Sequence, residues 1–181
     1  MPTGTNFPSS TPLAKGGLGL SAGEVALFGI LGGLTFAAKV AMMALPNIEP
    51  TSLMVMLFGV CFGKKAAYPI YVYVLLELVL HGVHLWSINY LYVWIILAAA
   101  ARLLRDMTHP LGWALLSGAF GLLFGLLCAP VYLAVGGPAF ALSWWISGIP
   151  FDLLHCGGNF VMALVLFVPL RRLMERLLEK I

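Results

Sequence analysis

The sequence predicts an all-α integral membrane protein, a bundle of six transmembrane helices with both termini in the cytoplasm. Composition is the first observation behind this prediction. Of the 181 residues, 61% are hydrophobic and 9% are charged, whereas a soluble domain is only ~45–50% apolar. The second observation is that the apolar runs are continuous and do not alternate with polar residues at period two. That pattern favours helices over a transmembrane barrel.

Six apolar runs approach the ~20 residues that a helix needs to cross the hydrocarbon core of a bilayer. They are approximately 24–45, 51–63, 66–84, 87–104, 112–135 and 143–170. The second run is short, so it is expected to tilt or to borrow from its flanks. Residues 1–21, rich in Gly, Pro, Ser and Thr, are predicted to be a flexible cytoplasmic tail. Residues 22–172 form the predicted membrane domain, and 173–181 continue the last helix as an amphipathic cytoplasmic end.

The basic residues predict the orientation. Nine of the ten Lys and Arg fall on one side of a six-span arrangement: Lys15, Lys64, Lys65, Arg102, Arg105, Arg171, Arg172, Arg176 and Lys180. Cytoplasmic loops of membrane proteins carry an excess of Lys and Arg, so this side is expected to be the cytoplasm. The loops near 47–50, 82–87 and 136–138 would then face outward, and they contain neither Lys nor Arg.

Ionisable and amide side chains inside the apolar runs mark the candidate site. In the third run Glu77, His81 and His84 follow each other at helical spacing, with Tyr73 one turn deeper, and in the sixth run Asp152, His155 and Asn159 form a second stripe. Lys39 lies about two turns from the outer end of the first run. Such groups are costly in hydrocarbon and usually meet each other or a bound molecule. We expect both stripes to converge on one pocket that opens outward.

Aromatic and amide groups surround this predicted pocket at the outer ends of the runs. Trp86, Asn89 and Tyr90 follow the first stripe across a turn and are interpreted as ligand-stacking or ligand-binding residues, and Asn47 and Glu49 come from the first outer loop. The tryptophans at 144 and 145 are interpreted as part of an interfacial aromatic belt, because Trp is enriched at membrane surfaces. Lys39 is expected to neutralise Glu77 or Glu49, or to contact the ligand.

Small residues recur on two of the predicted helices. In the first run a ridge of small side chains lets another helix approach closely; it comprises Ala22, Ala26, Gly29, Gly33 and Ala37. Internal packing and docking of a partner protein are both consistent with it. For the similar series Gly118, Gly121 and Gly125 in the fifth run, internal packing is the default interpretation.

Missing motifs narrow the function. The sequence has no G-x-x-x-x-G-K-[ST] loop, so the chain is not expected to hydrolyse ATP by the P-loop route. It also lacks the two matching broken helices of an inverted-repeat secondary transporter. A transporter of this size is therefore expected to need copies of itself or an energy-supplying partner.

Several segments together resemble one transporter family. They are the small-residue ridge and outer loop that end in ALPNIEP at 44–50, the inner turn FGKK at 62–65, and the stretches YPIYVYVLLE at 68–77, NYLYVW at 89–94 and HCGGNF at 155–160. In this order, with six spans in about 180 residues, the chain resembles the substrate-binding S component of an energy-coupling factor (ECF) transporter. The resemblance covers roughly residues 22–172.

The resemblance implies a division of roles within the chain. An S component captures a vitamin or related micronutrient near the outer face, then docks on a membrane T component that is attached to two cytoplasmic ATPases. The ridge would face the T component, the loop 45–52 would act as a lid, and the polar and aromatic residues would hold the ligand. The resemblance further implies the cell membrane of a prokaryote as location. It implies no enzymatic activity, cofactor or nucleic-acid partner for this chain, and ATP use by the partner subunits alone.

Alternatives to a vitamin carrier remain at this stage. Imidazole and carboxylate groups suit Ni, Co or Zn, so a transition-metal uptake subunit using Glu77, His81, His84 and His155 is possible on residue types. An intramembrane enzyme using Asp152 and His155 has no recognisable nucleophile beside it. For an organic ligand, carboxylates, imidazoles and aromatic faces suit a heteroaromatic ring with donors or a positive charge. Thiamine-like, pyridoxine-like, deazapurine, benzimidazole-nucleoside, flavin and cobalamin-size compounds all stay open.

Overall fold

The structure is a computed structural model that describes residues 19–45 and 48–179. Within these ranges the chain forms seven α-helices and one 3₁₀ helix, η1. In chain order they are α1 (Ala22–Ala41), α2 (Thr51–Phe62), η1 (Gly63–Ala66), α3 (Ala67–His81), α4 (Leu85–Tyr90), α5 (Val93–Leu103), α6 (Pro110–Leu122) and α7 (Phe124–Leu178). The predicted all-α class is confirmed for the described residues.

Four helical stretches among the described residues are long and apolar enough to cross a membrane. They are Ala22–Ala41, Thr51–His81, Leu85–Leu103 and Pro110–Leu178. Large apolar side chains such as Ile30, Val79 and Leu103 are mostly exposed on the surface, as lipid-facing residues are. These features indicate a multi-pass membrane protein. The prediction of six separate spans is only partly met, because the second and fourth stretches each contain two of the predicted runs.

The second of these stretches reverses direction at Gly63. This residue ends α2 with φ +59° and ψ −120°, a backbone conformation that favours glycine. The Lys39 ammonium contacts both Glu49, just before α2, and Glu77, near the end of α3. Glu49 and Glu77 are 28 positions apart, which would separate them by about 42 Å along a straight helix, so one ammonium could not contact both. Helices α2 and α3 are therefore antiparallel, and both approach the end of α1.

The fourth stretch reverses in the same way at Gly137. Its φ of +76° and ψ of −177° interrupt α7 and divide it into 124–136 and 138–178. Across the reversal, the Gly125 N–H donates to Asp152, and the Tyr132 and Trp144 rings stack with centroids 3.8 Å apart. The two parts of α7 are therefore antiparallel to each other.

These reversals give the bundle two chemically different ends. At one end, which we call the cavity end, Lys39, Glu49 and Glu77 meet. At the other end, the basic end, η1 and the ends of α5 and α7 bring together Lys64, Lys65, Arg102, Arg105 and Arg171. The remaining basic residues of the predicted orientation include Lys15 and Lys180, which lie outside the described residues.

Glycines allow close approach of several helices. A Cβ on Gly121 of α6 would lie 2.7 Å from the His155 carbonyl group of α7, and one on Gly118 would lie 3.3 Å from Phe160. The predicted internal packing of this glycine series is confirmed. Gly59 of α2 contacts the backbone of Ala98 in α5 in a similar way. Small residues at such contacts favour helix association by van der Waals packing in a membrane.

Helix boundaries differ from the sequence prediction at four places. Helix α1 ends at Ala41, four residues before the predicted end, because residues 42–45 form turns closed by hydrogen bonds such as Met42 N–H to Ala38 O. Helix α3 ends at His81, since Gly82 takes a φ of +79°. The predicted fourth run is two helices, α4 and α5, separated at 91–92. The last helix begins at 138 and continues to Leu178 at the basic end.

Candidate functional site

A cavity of about 690 Å³ lies at the cavity end, between α1, α3, α4 and α7. Its volume falls within the ~300–1,000 Å³ that is usual for small-molecule sites. Ten of the thirteen predicted site residues line it: Lys39, Glu49, Glu77, His81, His84, Trp86, Asn89, Tyr90, Asp152 and His155. The two polar stripes predicted from the third and sixth runs therefore meet around one space.

Lys39 is the centre of the polar network. Its ammonium donates to Glu77 Oε2 at 2.8 Å and to the Tyr90 hydroxyl oxygen at 3.2 Å, and it lies 3.7 Å from Glu49 Oε2. The sequence left open whether Lys39 would neutralise Glu77 or Glu49, and it contacts both. One ammonium thus serves two carboxylates that come from different segments of the chain. The electrostatic attraction joins α1, α3 and the segment before α2 at the mouth of the cavity.

The two histidines near the end of α3 reach the cavity by different routes. His81 Nδ1 lies 3.3 Å from Glu77 Oε2, one helical turn away. His84 was predicted on the same helical face, but the helix has ended, and the extended backbone of His84 (φ −149°, ψ 177°) precedes α4. Its Nδ1 lies 3.4 Å from Ser87 Oγ. The prediction of a continuous helical stripe through His84 is wrong, because the turn at Gly82 separates it from α3.

Asp152 and His155 form the opposite wall. Both carboxylate oxygens of Asp152 accept from the Gly125 N–H, at 3.1 and 3.2 Å, and a Cβ at position 125 would overlap this carboxylate. His155 is 4% exposed, and its ring packs edge to face against Phe124 at 5.0 Å. The reversal at Gly137 is what brings the first part of α7 against these two side chains.

Aromatic rings supply much of the remaining wall. Trp86 packs against Tyr90 with centroids 5.7 Å apart, and on the other side Tyr132 stacks on Trp144. Both pairs line the cavity. Trp144 was interpreted as a belt residue; its ring also packs against Tyr132 and contributes to the cavity wall. Aromatic faces suit the binding of a flat ring by stacking.

Two of the predicted site residues in the described part of the chain, Tyr73 and Asn159, do not line the cavity. Tyr73 is fully buried behind the wall, where its ring stacks on Tyr90 at 6.2 Å. The Asn159 amide donates to Ser52 Oγ at 3.0 Å and to the Ser117 carbonyl at 3.2 Å. It therefore joins α2, α6 and α7 one turn below the cavity. Asn47 lies outside the described residues.

Sequence reasoning missed several cavity residues, in the turns after α1 and on α7. They are mostly apolar or small, and include Met42, Met43, Phe124, Gly125, Cys128, Tyr132, Ser147 and Phe151. A membrane sequence contains many such residues, so their type alone gives no signal. The pair Gly136-Gly137 before a proline was the available clue, because a reversal there places the residues on its two sides face to face.

Two buried polar atoms of cavity-lining residues have no hydrogen-bond partner among the described residues, namely Glu77 Oε1 and His155 Nε2. Leaving such a group unpaired costs about 1–3 kcal/mol. Native proteins pair the great majority of their buried polar atoms. A molecule with hydrogen-bonding groups, bound between Glu77 and His155, would supply the partners that the protein does not.

The metal-binding alternative finds no ligand cluster in the part of the chain that the structure describes. No three His, Cys, Asp or Glu side chains there are arranged so that they could hold one ion. Glu77 and His81 are adjacent, but His84 turns to Ser87 and His155 lies against Phe124 on the opposite wall. The residues that the sequence offered to a metal are brought to one cavity without converging on one point.

The predicted ridge of small residues lies on the surface of α1. Ala22, Ala26, Gly29 and Ala37 are exposed and Gly33 is half-buried. A Cβ on Gly29 or Gly33 would meet no atom within 4 Å, whereas one on Gly32 would overlap Val72 and the Pro69 carbonyl of α3. The bundle itself thus uses the Gly32 face of α1 for internal packing and leaves the ridge uncovered.

Comparison with known proteins gives no relative: no family model, no curated protein and no solved structure matches the chain.

Proposed function

We propose that this protein is the substrate-capture subunit of an ATP-driven importer of the ECF type, binding a small heteroaromatic micronutrient in the cavity. The observation that carries the proposal is the cavity wall itself. Three carboxyl groups, one ammonium, three imidazoles and two aromatic pairs line a space of about 690 Å³ inside an apolar bundle. Ionisable groups in such a position are by default functional.

A purely structural role explains this cluster less well. The interhelical tie through Asn159 shows what a structural contact looks like in this bundle: the amide is 1% exposed and its donor group is used twice. Unpaired buried atoms also occur at this tie, at Asn159 Oδ1 and Ser117 Oγ. What distinguishes Glu77 Oε1 and His155 Nε2 is that these unpaired atoms belong to residues that line the cavity. Binding sites combine an apolar wall with a few polar groups that fix the ligand's orientation, which is the composition of this wall.

The wall's charge and size narrow the substrate class. The cavity lining holds three carboxyl groups, of Glu49, Glu77 and Asp152, and one ammonium, of Lys39, so the site favours a ligand with a positive charge or several N–H and O–H donors. The aromatic pairs favour a flat ring. Within the classes left open by the sequence, we propose a thiamine-like or pyridoxine-like compound, which combines a flat ring with a positive charge or hydrogen-bond donors. A cobalamin-size ligand exceeds the cavity.

The proposed membrane arrangement follows the positive-inside rule. Each of the six antiparallel helical segments would cross the cell membrane of a prokaryote, with the basic end in the cytoplasm and the cavity open to the outside. Both termini would then be cytoplasmic. The segment before α2 would cover the cavity as a lid: Leu45 and Glu49 line it, and Ile48 lies against Gly158 of α7.

Delivery of the substrate requires partners. We propose that the ridge Ala22, Ala26, Gly29, Gly33 and Ala37 docks on a T component that carries two cytoplasmic ATPases. The uncovered position of this ridge on α1 supports the assignment, because small residues let a partner helix approach closely in a membrane. The chain's own role would be binding, and ATP would be used by the partner subunits.

The first test is mass spectrometry of the small molecules and metals released from the purified, denatured protein. We expect one organic heterocycle at near one-to-one ratio. A transition metal at that ratio without an organic compound would overturn the proposal in favour of metal uptake. The identified compound then serves as the titrant for the binding experiments.

The second test uses Glu77→Gln, measured by calorimetric titration of the identified compound. The change keeps the side-chain shape but removes the charge beside Lys39, and we expect binding to weaken at least about 100-fold, as for loss of a charge-assisted hydrogen bond in a dry site. Glu179→Gln, the same change on an exposed residue at the basic end, is the matched control. Equal affinity of the two variants for the compound would contradict the assignment of Glu77 to the binding site.

Docking is tested separately in cells. Gly33→Leu should leave ligand affinity intact and abolish uptake, because its side chain would project from the ridge into the partner helix. Gly157→Leu on α7 is the matched control, since a Cβ there also meets no atom within 4 Å. Normal uptake by the Gly33 variant would refute the ridge as the docking surface.

A further inference from the structure

A second cavity opens at the basic end of the bundle, far from the proposed substrate site. It has a volume of about 690 Å³ and lies between η1, the start of α3, the last turns of α5 and the segment that follows α5. We call it the basic cleft. Three cationic side chains line it, Lys64, Arg102 and Arg105, together with one anionic side chain, Asp106.

The room in the cleft comes from small residues at the crossing of these segments. Its remaining lining includes Gly63, Ala66, Ala67, Ala98 and Ala99. The backbone of Ala98 is fixed against α2, because a Cβ on Gly59 would overlap its carbonyl group. The alanine floor and the turn at Gly63 therefore belong to the tightly packed frame of the bundle, and the cleft is a stable feature of it.

Internal ion pairs do not neutralise the positive charge of the cleft. Of the two adjacent lysines, Lys65 is buried and pairs with Glu24 of α1, whereas Lys64 is exposed and faces the cleft. Arg105 Nε lies 3.9 Å from Asp106 Oδ1, with the two side chains 43% and 78% exposed, and ion pairs at such exposed positions contribute little to stability. The negative end of the α5 dipole accounts for a basic residue at Arg102. It does not account for Lys64 and Arg105, which lie outside that helix.

Exposed apolar side chains lie on and next to the residues that line the cleft. Leu103 lines it, and Ile96 and Leu104 are the chain neighbours of the lining residues Ile95 and Leu103. Leu103 is 83% exposed, and Ile96 and Leu104 are both 44% exposed. This puts an exposed hydrocarbon surface directly beside a concave group of cations. A phospholipid has the same arrangement of parts, with acyl chains next to a phosphate.

From this arrangement we propose that the basic cleft binds the phosphate group of an anionic phospholipid. The planar guanidinium groups of Arg102 and Arg105 suit phosphate oxygens as paired donors, and Lys64 adds a point charge. The acyl chains would lie along Ile96, Leu103 and Leu104. Basic pockets between helices at the cytoplasmic face are a general mode of recognition of anionic lipids. This proposal does not depend on the identity of the transported substrate.

The test is native mass spectrometry of the full-length protein with added phosphatidylglycerol or phosphatidylcholine. The wild type should retain phosphatidylglycerol in preference to phosphatidylcholine. In Lys64→Gln/Arg102→Gln/Arg105→Gln the preference should fall by about fivefold for each basic residue removed. The single variant Lys64→Gln should lower the preference by about fivefold. It tests the proposal even if the triple variant fails to fold. Arg172→Gln/Arg176→Gln, at exposed basic residues of the same end, is the control and should leave the preference unchanged.

Two outcomes would overturn the proposal. One is equal retention of phosphatidylglycerol by the wild type and the triple variant, which would remove the cleft as the site. The other is displacement of the lipid by inorganic phosphate at millimolar concentration with the Arg102 and Arg105 side chains intact. That result would make the cleft a site for a free phosphate compound, because the acyl chains would then contribute nothing to binding.

Discussion

Replacing Gly121 by valine is the most direct test of the packing that builds the cavity. Gly121 lies in α6 against the backbone of α7, and a Cβ there would be 2.7 Å from the carbonyl carbon and oxygen of His155 and 2.8 Å from the Cys156 nitrogen. Ordinary contact begins at 3.4 Å, so the helices must separate by about 0.7 Å for the first added carbon alone. Backbone atoms cannot rotate away as a side chain does.

The expected cost is at the upper end of the usual range for overpacking, about 3 kcal/mol. On the scale for a protein of 150–250 residues, each kcal/mol lowers the midpoint of thermal unfolding by about 2–4 °C. We therefore expect a decrease of roughly 6–12 °C for Gly121→Val. Because the strained contact is the backbone of His155, affinity for the cavity ligand should fall as well.

The assay is thermal unfolding in detergent micelles followed by tryptophan fluorescence, with Gly157→Val as the matched control. Gly157 lies on α7 close to the strained contact, but a Cβ there would meet no atom within 4 Å. Valine and glycine differ by only a few tenths of a kcal/mol in helix propensity, so the control should change the midpoint by less than about 2 °C. Equal midpoints for the two variants would refute the close approach of α6 and α7.

Three further predictions follow from the polar contacts. Asn159→Leu should lower the unfolding free energy by about 1–3 kcal/mol through loss of two buried hydrogen bonds; unchanged stability with lost ligand binding would instead assign Asn159 to the ligand site. Glu24→Gln should lower the unfolding free energy by about 1–3 kcal/mol, because the Lys65 ammonium loses its carboxylate partner, and the double variant Glu24→Gln/Lys65→Met should recover part of this loss in chemical denaturation; no recovery would argue against the ion pair. Burial raises the pKa of the Glu49 carboxyl, so the folded chain holds this proton more tightly than the unfolded one. The wild type should therefore gain stability relative to Glu49→Gln as the pH falls toward the usual pKa of glutamate, and a pH-independent difference would contradict this.

The membrane class and the approximate helix positions were predictable from the sequence. Composition and run length depend only on residue types, and the need to satisfy backbone hydrogen bonds in hydrocarbon leaves helices as the structure for continuous apolar runs. Boundaries were less predictable. The early end of α1 at Ala41 and the break at 91–92 depend on local turn hydrogen bonds within apolar sequence, where hydropathy does not change.

The lining of the candidate site was predictable at its ionisable residues and unpredictable elsewhere. Glu77, His81 and Asp152 stand out because charge is rare in an apolar run, and they do line the cavity. Asn159 stands out for the same reason, yet its amide is used between helices. A polar residue inside an apolar run is expected to have a polar partner. The sequence does not tell whether that partner is a ligand or another helix.

By itself, the sequence determined that the protein lies in a lipid bilayer, that its segments are helical, and that two stripes of polar residues run along them. These features depend only on residue type and on the period of a helix. Only the tertiary structure decided which faces meet. The reversals at Gly63 and Gly137 set Lys39 between two carboxylates and placed Tyr132 on Trp144. It also left one lysine of an adjacent pair buried and the other open to a cleft. The physical reason is that helix packing depends on side-chain shape across segments distant in the chain, and such contacts leave no periodic signal in either segment alone.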